Sequence, residues 1–227
     1  MNLLAIDCSA SLCAAGIYDA QAEKELGRAV LDLGKGHAEQ LMTVVGHALK
    51  EAGIAFPDLG AVAVSVGPGS FTGVRVGVSA ARGFALALKI PAIGVTTLEA
   101  LATEARGKFG TRNVFSALDG GRGEIQAAVY DGLGGMLYAP AVITLSQAAE
   151  LATEFSPVLA GTAAKVIADA VPSQAFDFGP LGATADIAIY ARLAARKGAV
   201  GDKPAPLYLR EPDAKPQAGF ILPRSGG

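Results

Sequence analysis

The hydrophobic pattern opens with two short apolar runs, residues 3–6 and 12–18, each closed by an aspartate (Asp7, Asp19) and separated by a small polar turn. Runs of this length between turn residues predict a β-hairpin, and a third strand is predicted near residues 25–31. Apolar positions then recur at helical spacing over about 36–51, 71–88 and 97–107. Between those segments lie strand-length runs at 61–66 and 91–95. The run Ala61-Val-Ala-Val-Ser-Val66 does not alternate with polar residues, so it predicts a strand covered on both faces and a layered α/β architecture.

The chain then repeats this opening. Residues 113–119, Asn-Val-Phe-Ser-Ala-Leu-Asp, lead through a glycine-rich turn into 124–131, Glu-Ile-Gln-Ala-Ala-Val-Tyr-Asp. In both copies an aspartate precedes the Tyr-Asp pair by the same interval, Asp7 to Tyr18 and Asp119 to Tyr130. The shared order of strand, aspartate, turn and returning strand points to an internal duplication; chance likeness of two hairpins is the alternative. A strand near 136–143, a helix near 145–154, a strand near 157–160 and helices near 161–170 and 183–197 complete the second copy. The expected organisation is a first lobe over 1–110, a second over 111–198 and a tail over 199–227. Five of the twelve prolines fall in that tail, which is expected to lie extended on the body to about Arg210 and to be loose beyond it.

Composition narrows the function. The 227 residues carry 19 Lys+Arg against 21 Asp+Glu, a net charge of −2, which removes the bulk attraction of a stand-alone nucleic-acid binder. Charged residues are 18%, below the roughly 25% of an average soluble domain, so a small or apolar surface available to a partner is expected. Cys8 and Cys13 are the only cysteines and read as buried small hydrophobes, which suits a reducing compartment. The N-terminus lacks a basic leader, and the longest uncharged runs, 59–74 and 132–149, are interrupted by Gly, Pro, Ser or Gln. A cytoplasmic protein with no membrane segment is expected.

The most specific motif is Gly67-Pro-Gly-Ser-Phe-Thr-Gly73-Val-Arg75-Val-Gly77, placed between a buried strand and a helix. Backbone amides at such a junction can hold an anion. The glycine spacing is neither the dinucleotide fingerprint nor a Walker A loop, and a purely conformational role for the glycines stands beside the anion role. Ser70 or Thr72 is the natural N-cap. The helix carries Gly73, Gly77, Ala81 and Ala85 on one face. Interior glycines weaken a helix by about 1 kcal/mol each, so the stripe is expected to serve close approach of another backbone, in its own lobe or in a partner. The preceding helix is apolar over more than one face. Its surplus, either Leu41, Val44, Val45 and Ala48 or Met42 and Leu49, suggests together with the stripe a helical dimer interface.

Two α/β lobes that each open on a strand–Asp–hairpin resemble the actin-like ATPase superfamily. The resemblance implies two duplicated ribonuclease H-like lobes, a mixed five-stranded sheet flanked by helices in the first and a smaller second lobe, with Asp7 and Asp119 facing a nucleotide cleft. More closely, Ala5-Ile-Asp7-Cys-Ser9, Gly36-His-Ala-Glu39, the glycine-loop string, Thr97-Leu-Glu-Ala-Leu101, Gly121-Arg-Gly-Glu124 and Pro206-Leu-Tyr-Leu-Arg210 resemble the TsaB (YeaZ) family. Those proteins are bacterial accessory subunits for making N6-threonylcarbamoyladenosine in tRNA. The resemblance implies a non-catalytic partner of the metal-bearing paralogue TsaD, able to pair with itself, with a TsaE-like ATPase as a further partner and tRNA reached through the complex. The expected interface comprises His37, Leu41, Val44, Val45, Ala48, Gly73, Val74, Gly77 and Ala81. The candidate anion or nucleotide cleft comprises Asp7, Ser9, Gly67, Gly69, Ser70, Arg75, Asp119 and Gly161. No cofactor is expected to bind tightly, although weak ADP or ATP at the complex interface is.

The chain departs from its catalytic relatives. Where the paralogue has His-x-x-x-His on its first helix, position 41 is Leu here, and His47 lies ten residues from His37. No metal site is expected. The hairpin Asp7-Cys-Ser-Ala-Ser11 lacks the glycine of phosphate-binding hairpins, and the candidate adenosine turn at Gly161 has one glycine where kinases commonly have two. Arg75, Arg82, Arg122 and Arg210 are candidates for phosphate contact, with a solvated surface role the alternative. Two other functions are weighed: a phosphotransferase built on Asp7 and Asp119, and a peptidase using Ser9, Ser70 and His37, for which no nucleophile elbow is present.

Overall fold

A computed structural model describes residues 1–198 and 203–209. Five strands, β1 (Asn2–Asp7), β2 (Leu12–Asp19), β3 (Lys24–Asp32), β4 (Leu59–Ser65) and β5 (Ala92–Val95), form one sheet in the order β3-β2-β1-β4-β5. β1 pairs antiparallel with β2, from Asn2 opposite Asp19 to Asp7 opposite Ala14, and parallel with β4. The second sheet has four strands, β6 (Val114–Asp119), β7 (Glu124–Tyr130), β8 (Met136–Thr144) and β9 (Val158–Ala160), in the order β8-β7-β6-β9. It repeats the first sheet's antiparallel hairpin and parallel neighbour, without a fifth strand among the described residues.

Six α-helices among the described residues complete the layers: α1 (His37–Ala52), α2 (Phe71–Leu88), α3 (Thr97–Phe109), α4 (Leu145–Phe155), α5 (Ala164–Asp169) and α6 (Ile187–Lys197). Their starts follow from capping chemistry. Ser70, Thr96, Thr144 and Asp186 each accept a backbone N–H of the first turn, and Gln147 closes a capping box with Thr144. The cap at Asp186 explains why α6 begins at Ile187 and not near 183.

The period-two geometry of the strands divides the core. Leu4, Ile6, Val62 and Val64 face α1 and α2, whereas Leu3, Ala5, Ala61 and Ala63 face the opposite way, into a second cluster. That second cluster contains α3, α6 and the inner face of the other sheet (Val114, Leu118, Ala128). A third cluster, with Phe115, Ala117 and Ile167, lies under α4 and α5. The layers are therefore α1/α2, first sheet, α3/α6, second sheet, α4/α5.

The lobes expected over 1–110 and 111–198 exchange a helix each across their boundary. α6, from the second half of the chain, packs on β1, β2, β4 and β5, while α3, from the first half, packs on β6, β7 and β9. The alanines on the inner face of β1 and β4 leave room for α6, whose Tyr190 is fully buried. The tail adds a last contact: the Leu207 N–H donates to the Val66 carbonyl at 2.8 Å, and Pro204 is buried beside Gly94. Arg210 and the expected loose segment beyond it lie outside the described residues.

Candidate functional site

The repeated aspartates occupy different environments. Asp7, at the end of β1, is 1% exposed. Its Oδ1 accepts the Ser9 N–H at 2.9 Å, and its Oδ2 accepts the Thr184 hydroxyl at 2.5 Å. The Tyr190 hydroxyl lies 2.6 Å from Thr184 Oγ1. Because the single Thr184 proton points to Asp7, Tyr190 must donate to Thr184, giving a proton-ordered chain Tyr190–Thr184–Asp7. Burial, and then the Asp7 charge, push the Tyr190 phenol above its ordinary pKa, which keeps it protonated as that chain requires. Ser65 Oγ and Thr97 Oγ1, 3.3 Å apart, line the same buried seam. Thr184 and Tyr190 come from the second half of the chain, so one oxygen of Asp7 is engaged by a hydroxyl from that half. No spacing in the sequence signals this contact, because the partners are 177 positions apart.

Asp119 is exposed. Its Oδ1 accepts the Gly121 N–H at 2.8 Å, and its own N–H donates to Thr162 Oγ1 at 2.9 Å. Ser9 and Thr184, which engage Asp7, and Gly121 and Thr162, which engage Asp119, lie on different segments. Gly161 is used for close approach: a Cβ there would stand 2.2 Å from the Ala117 carbonyl oxygen, and its φ is +93°. Ser9 is buried, and its Oγ has no hydrogen-bond partner among the described residues.

The glycines of the loop serve close backbone approach. A Cβ at Gly69 would lie 2.2 Å from the Ser9 carbonyl oxygen, and one at Gly73 would lie 1.9 Å from that of Cys8. The loop is pressed backbone to backbone against the first hairpin, and the Ser70 N–H donates to the Ser9 carbonyl at 2.7 Å. Ser70 Oγ accepts the Gly73 N–H, as an N-cap does. Gly67, with φ +89°, passes its carbonyl to the Thr97 N–H. Arg75 belongs elsewhere. Its guanidinium sits 3.6 Å above the Phe71 ring, and its Nε donates to the Tyr208 hydroxyl at 2.6 Å, on the outer flank of α2.

The expected interface needs correction residue by residue. Leu41, Val44, Val45, Ala48, Val74 and Ala81 are all within the first lobe's core, at most 5% exposed. Gly73 and Gly77 face Cys8, Ile6 and Val64 of their own sheet. These residues face inward because α1 and α2 need their whole small or aliphatic faces to sit on a sheet that presents Leu4, Ile6, Val62 and Val64. His37 is buried at the start of α1, with Nε2 lacking a partner among the described residues.

What α1 and α2 leave outward is a different set. Ala38, Met42 and Gly46 recur every four residues on the exposed side of α1. Val76 and Ala80, half-buried, and Gly83, exposed, line the flank of α2 that also carries Phe84, whose ring stacks at 5.3 Å on Phe56 just beyond α1. A Cβ added at Gly46 or Gly83 would meet nothing within 4 Å. An uncharged strip of small residues around Met42 therefore lies open, shaped for close approach of another helix. The alternative surplus face with Met42 pointed to it; Gly46 and Gly83, helix-interior glycines outside the packing stripe, were the other available signal.

The five layers, with one helix from each half between the sheets, define an actin-like fold. A ROK hexokinase from Thermus thermophilus shares it, with a TM-score of 0.53 over 87% of this chain and all of that one, at 16% identity. YeaZ from Pseudomonas aeruginosa superposes with a TM-score of 0.74 at 26% identity, covering 91% of this chain and 100% of that structure. The family model described as TsaD, tRNA N6-adenosine threonylcarbamoyltransferase, matches residues 32–214, and the chain belongs to that family. Within it the chain is similar to the tRNA threonylcarbamoyladenosine biosynthesis protein TsaB of Escherichia coli (strain K12), 35% identical over 133 residues that make up 57% of this chain and 55% of that protein. An uncharacterised protein of Mycobacterium tuberculosis is 33% identical over 226 residues, 96% of this chain and 95% of its own length. The match to the TsaB protein of E. coli therefore spans a little over half the length of that relative. No helix among the described residues is long and apolar enough to cross a membrane.

Proposed function

We propose that this protein is a non-catalytic subunit of the machinery that installs threonylcarbamoyl on N6 of adenosine 37 in tRNA, and that it works by docking a TsaD-like catalytic paralogue. The observation that carries this reading is the uncharged strip of Ala38, Met42 and Gly46 beside Val76, Ala80 and Gly83, two helices presenting small residues to a partner's helices. The Tyr190–Thr184–Asp7 chain supports the non-catalytic part, since the carboxylate that opens the repeat is held by the protein's own donors. The resemblance to TsaB proteins supplies the reaction and the partner. The same strip serves self-pairing when the partner is absent, and a TsaE-like ATPase joins the assembled pair.

The test is co-elution of the chain with the TsaD homologue from the same genome. Gly83→Arg and Met42→Asp place bulk or charge on open positions without touching the core. Each should abolish a 1:1 complex while leaving the thermal midpoint of the free chain within about 2 °C, a shift worth about 0.5 to 1 kcal/mol for a chain of this size. Co-elution of both variants at wild-type affinity would place the interface elsewhere.

A further inference from the structure

The flank of α2 opposite the strip has the reverse character. Arg75 and Arg82 stand seven residues apart on it, and Lys89 follows seven further on as the C-cap, so the cations form a row with steps of about 10 Å. Beyond Arg82 the row enters a groove of about 820 Å³ between the end of α2, β5 and the tail. Arg82, Lys89, Lys197 and Lys203 line it, and none of its described lining residues is an aspartate or glutamate. Leu86, 81% exposed, and Ile90 give it an apolar floor. Lys197 is held by Glu99 at 2.6 Å, whereas Arg82, Lys89 and Lys203 form no ion pair among the described residues. In a chain of net charge −2, three cations with no ion pair among the described residues around one apolar groove are a local concentration that overall composition does not explain.

We infer that this groove and the Arg75–Arg82–Lys89 row bind the sugar-phosphate backbone of RNA directly, with phosphates on the cations and ribose or base edges against Leu86 and Ile90. An RNA fits better than an isolated anion, because the cations are spread over two steps of the row and do not converge on one point. Phosphates provide position and no sequence information, which suits a subunit that must accept several tRNAs. This inference rests on the proposed role in tRNA modification for the identity of the RNA. It goes beyond that role in giving the chain its own RNA contact, on the side of α2 away from the partner strip.

The test is a titration of an unmodified tRNA transcript with adenosine at position 37 against the full chain, free and in complex with the TsaD homologue, from 50 to 300 mM KCl. Removing one single-strand phosphate contact flattens the slope of log K against log salt by about 0.7, which at 0.15 M corresponds to about 4-fold in affinity. The triple variant Arg82→Ala/Lys89→Ala/Lys203→Ala should lose about 50-fold with a slope flatter by about 2, and Arg82→Lys alone should leave the slope unchanged. Gly83→Arg should abolish co-elution with TsaD yet keep the free chain's RNA slope, so the two readings fail separately. An unchanged slope in the triple variant overturns the inference. So does loss of TsaD co-elution in that variant with RNA affinity intact, which would make the row a protein contact. Calorimetric binding of ATP that the triple variant abolishes, with the tRNA slope intact, would make the groove a small-polyphosphate site and would equally overturn it.

Discussion

Adding one methyl group to each glycine of α2 separates an inward stripe from an outward one, because the two placements predict opposite signs. At Gly73 a Cβ would stand 1.9 Å from the Cys8 carbonyl oxygen, so α2 or the first hairpin must move by about 1.5 Å to restore ordinary contact. The obstacle is backbone in a packed lobe, which places Gly73→Ala toward the upper end of the overpacking range, about 3 kcal/mol, offset by about 1 kcal/mol of helix propensity. At Gly77 the nearest atoms are at 3.5 to 3.8 Å, ordinary contact, so Gly77→Ala should be near neutral or slightly stabilising. At Gly83 nothing lies within 4 Å, and Gly83→Ala should gain about 0.5 to 1 kcal/mol. With about 2 to 4 °C per kcal/mol for a chain of this size, Gly73→Ala should melt about 4 to 8 °C below the wild type and Gly83→Ala about 1 to 4 °C above it. Urea unfolding followed by far-UV circular dichroism provides the free energies independently of the melt. If Gly73→Ala proved as stable as the wild type, the stripe would not be pressed on the hairpin, and the inward placement of Gly73, Gly77 and Ala81 would be wrong.

Two further perturbations address the seam and the entry to α6. Thr184→Val keeps the shape but removes the hydroxyl between Tyr190 and Asp7, leaving a buried carboxylate oxygen without its donor; a loss of about 1 to 3 kcal/mol in urea unfolding is expected, and wild-type stability would refute the hydroxyl chain. Asp186 caps α6 and pairs with Arg28 at 2.8 Å. Burial pushes its carboxyl up, but hydrogen bonds from Arg28 and the Ala188 N–H, with the Arg28 charge, outweigh burial and hold it below the usual aspartate range. A depressed acid stabilises the fold above its unfolded pKa and loses that contribution as pH falls through the folded value. Asp186→Asn should therefore cost under about 1 kcal/mol at pH 7, both partners being about 40% exposed, and progressively less as pH falls below the ordinary aspartate range; a cost independent of pH would refute the assignment.

The strands and helices were readable because each carries its own local signal. The run 61–66 has no polar alternation and became β4, covered on both faces; Ser70, Thr96 and Thr144 mark helix starts by chemistry that acts within three residues. The Asp7 and Asp119 hairpins were visible for the same reason. What the sequence could not show was decided by long-range packing. α3 and α6 trade sheets because Ala5, Ala61 and Ala63 leave room for Tyr190, a fit between residues more than a hundred positions apart. The orientation of the glycine stripe was likewise undetermined. A helix with small residues on one face and uncharged residues on the next offers two faces to a sheet, and only the position of the Cys8 and Ser9 carbonyls selects between them.

That selection changes what a loss-of-function variant on these helices can prove. Gly77→Arg or Leu41→Asp would remove partner binding, yet both act in the core, against Val64, Ile6 and the cluster around Leu4. A charge forced there unfolds or displaces α1 or α2, and with that helix moves every group on its flanks, so failure to bind would follow from any location of the interface. Only substitutions at the open positions, Met42, Gly46 and Gly83 on one flank and Arg82 and Lys89 on the other, separate contact from collapse. The glycines that make α2 look like an interface are the reason it packs closely enough to have two free flanks, and those flanks differ in charge. An agent that occupies one should leave the other accessible, so protein pairing and RNA contact through α2 can coexist in a single assembly.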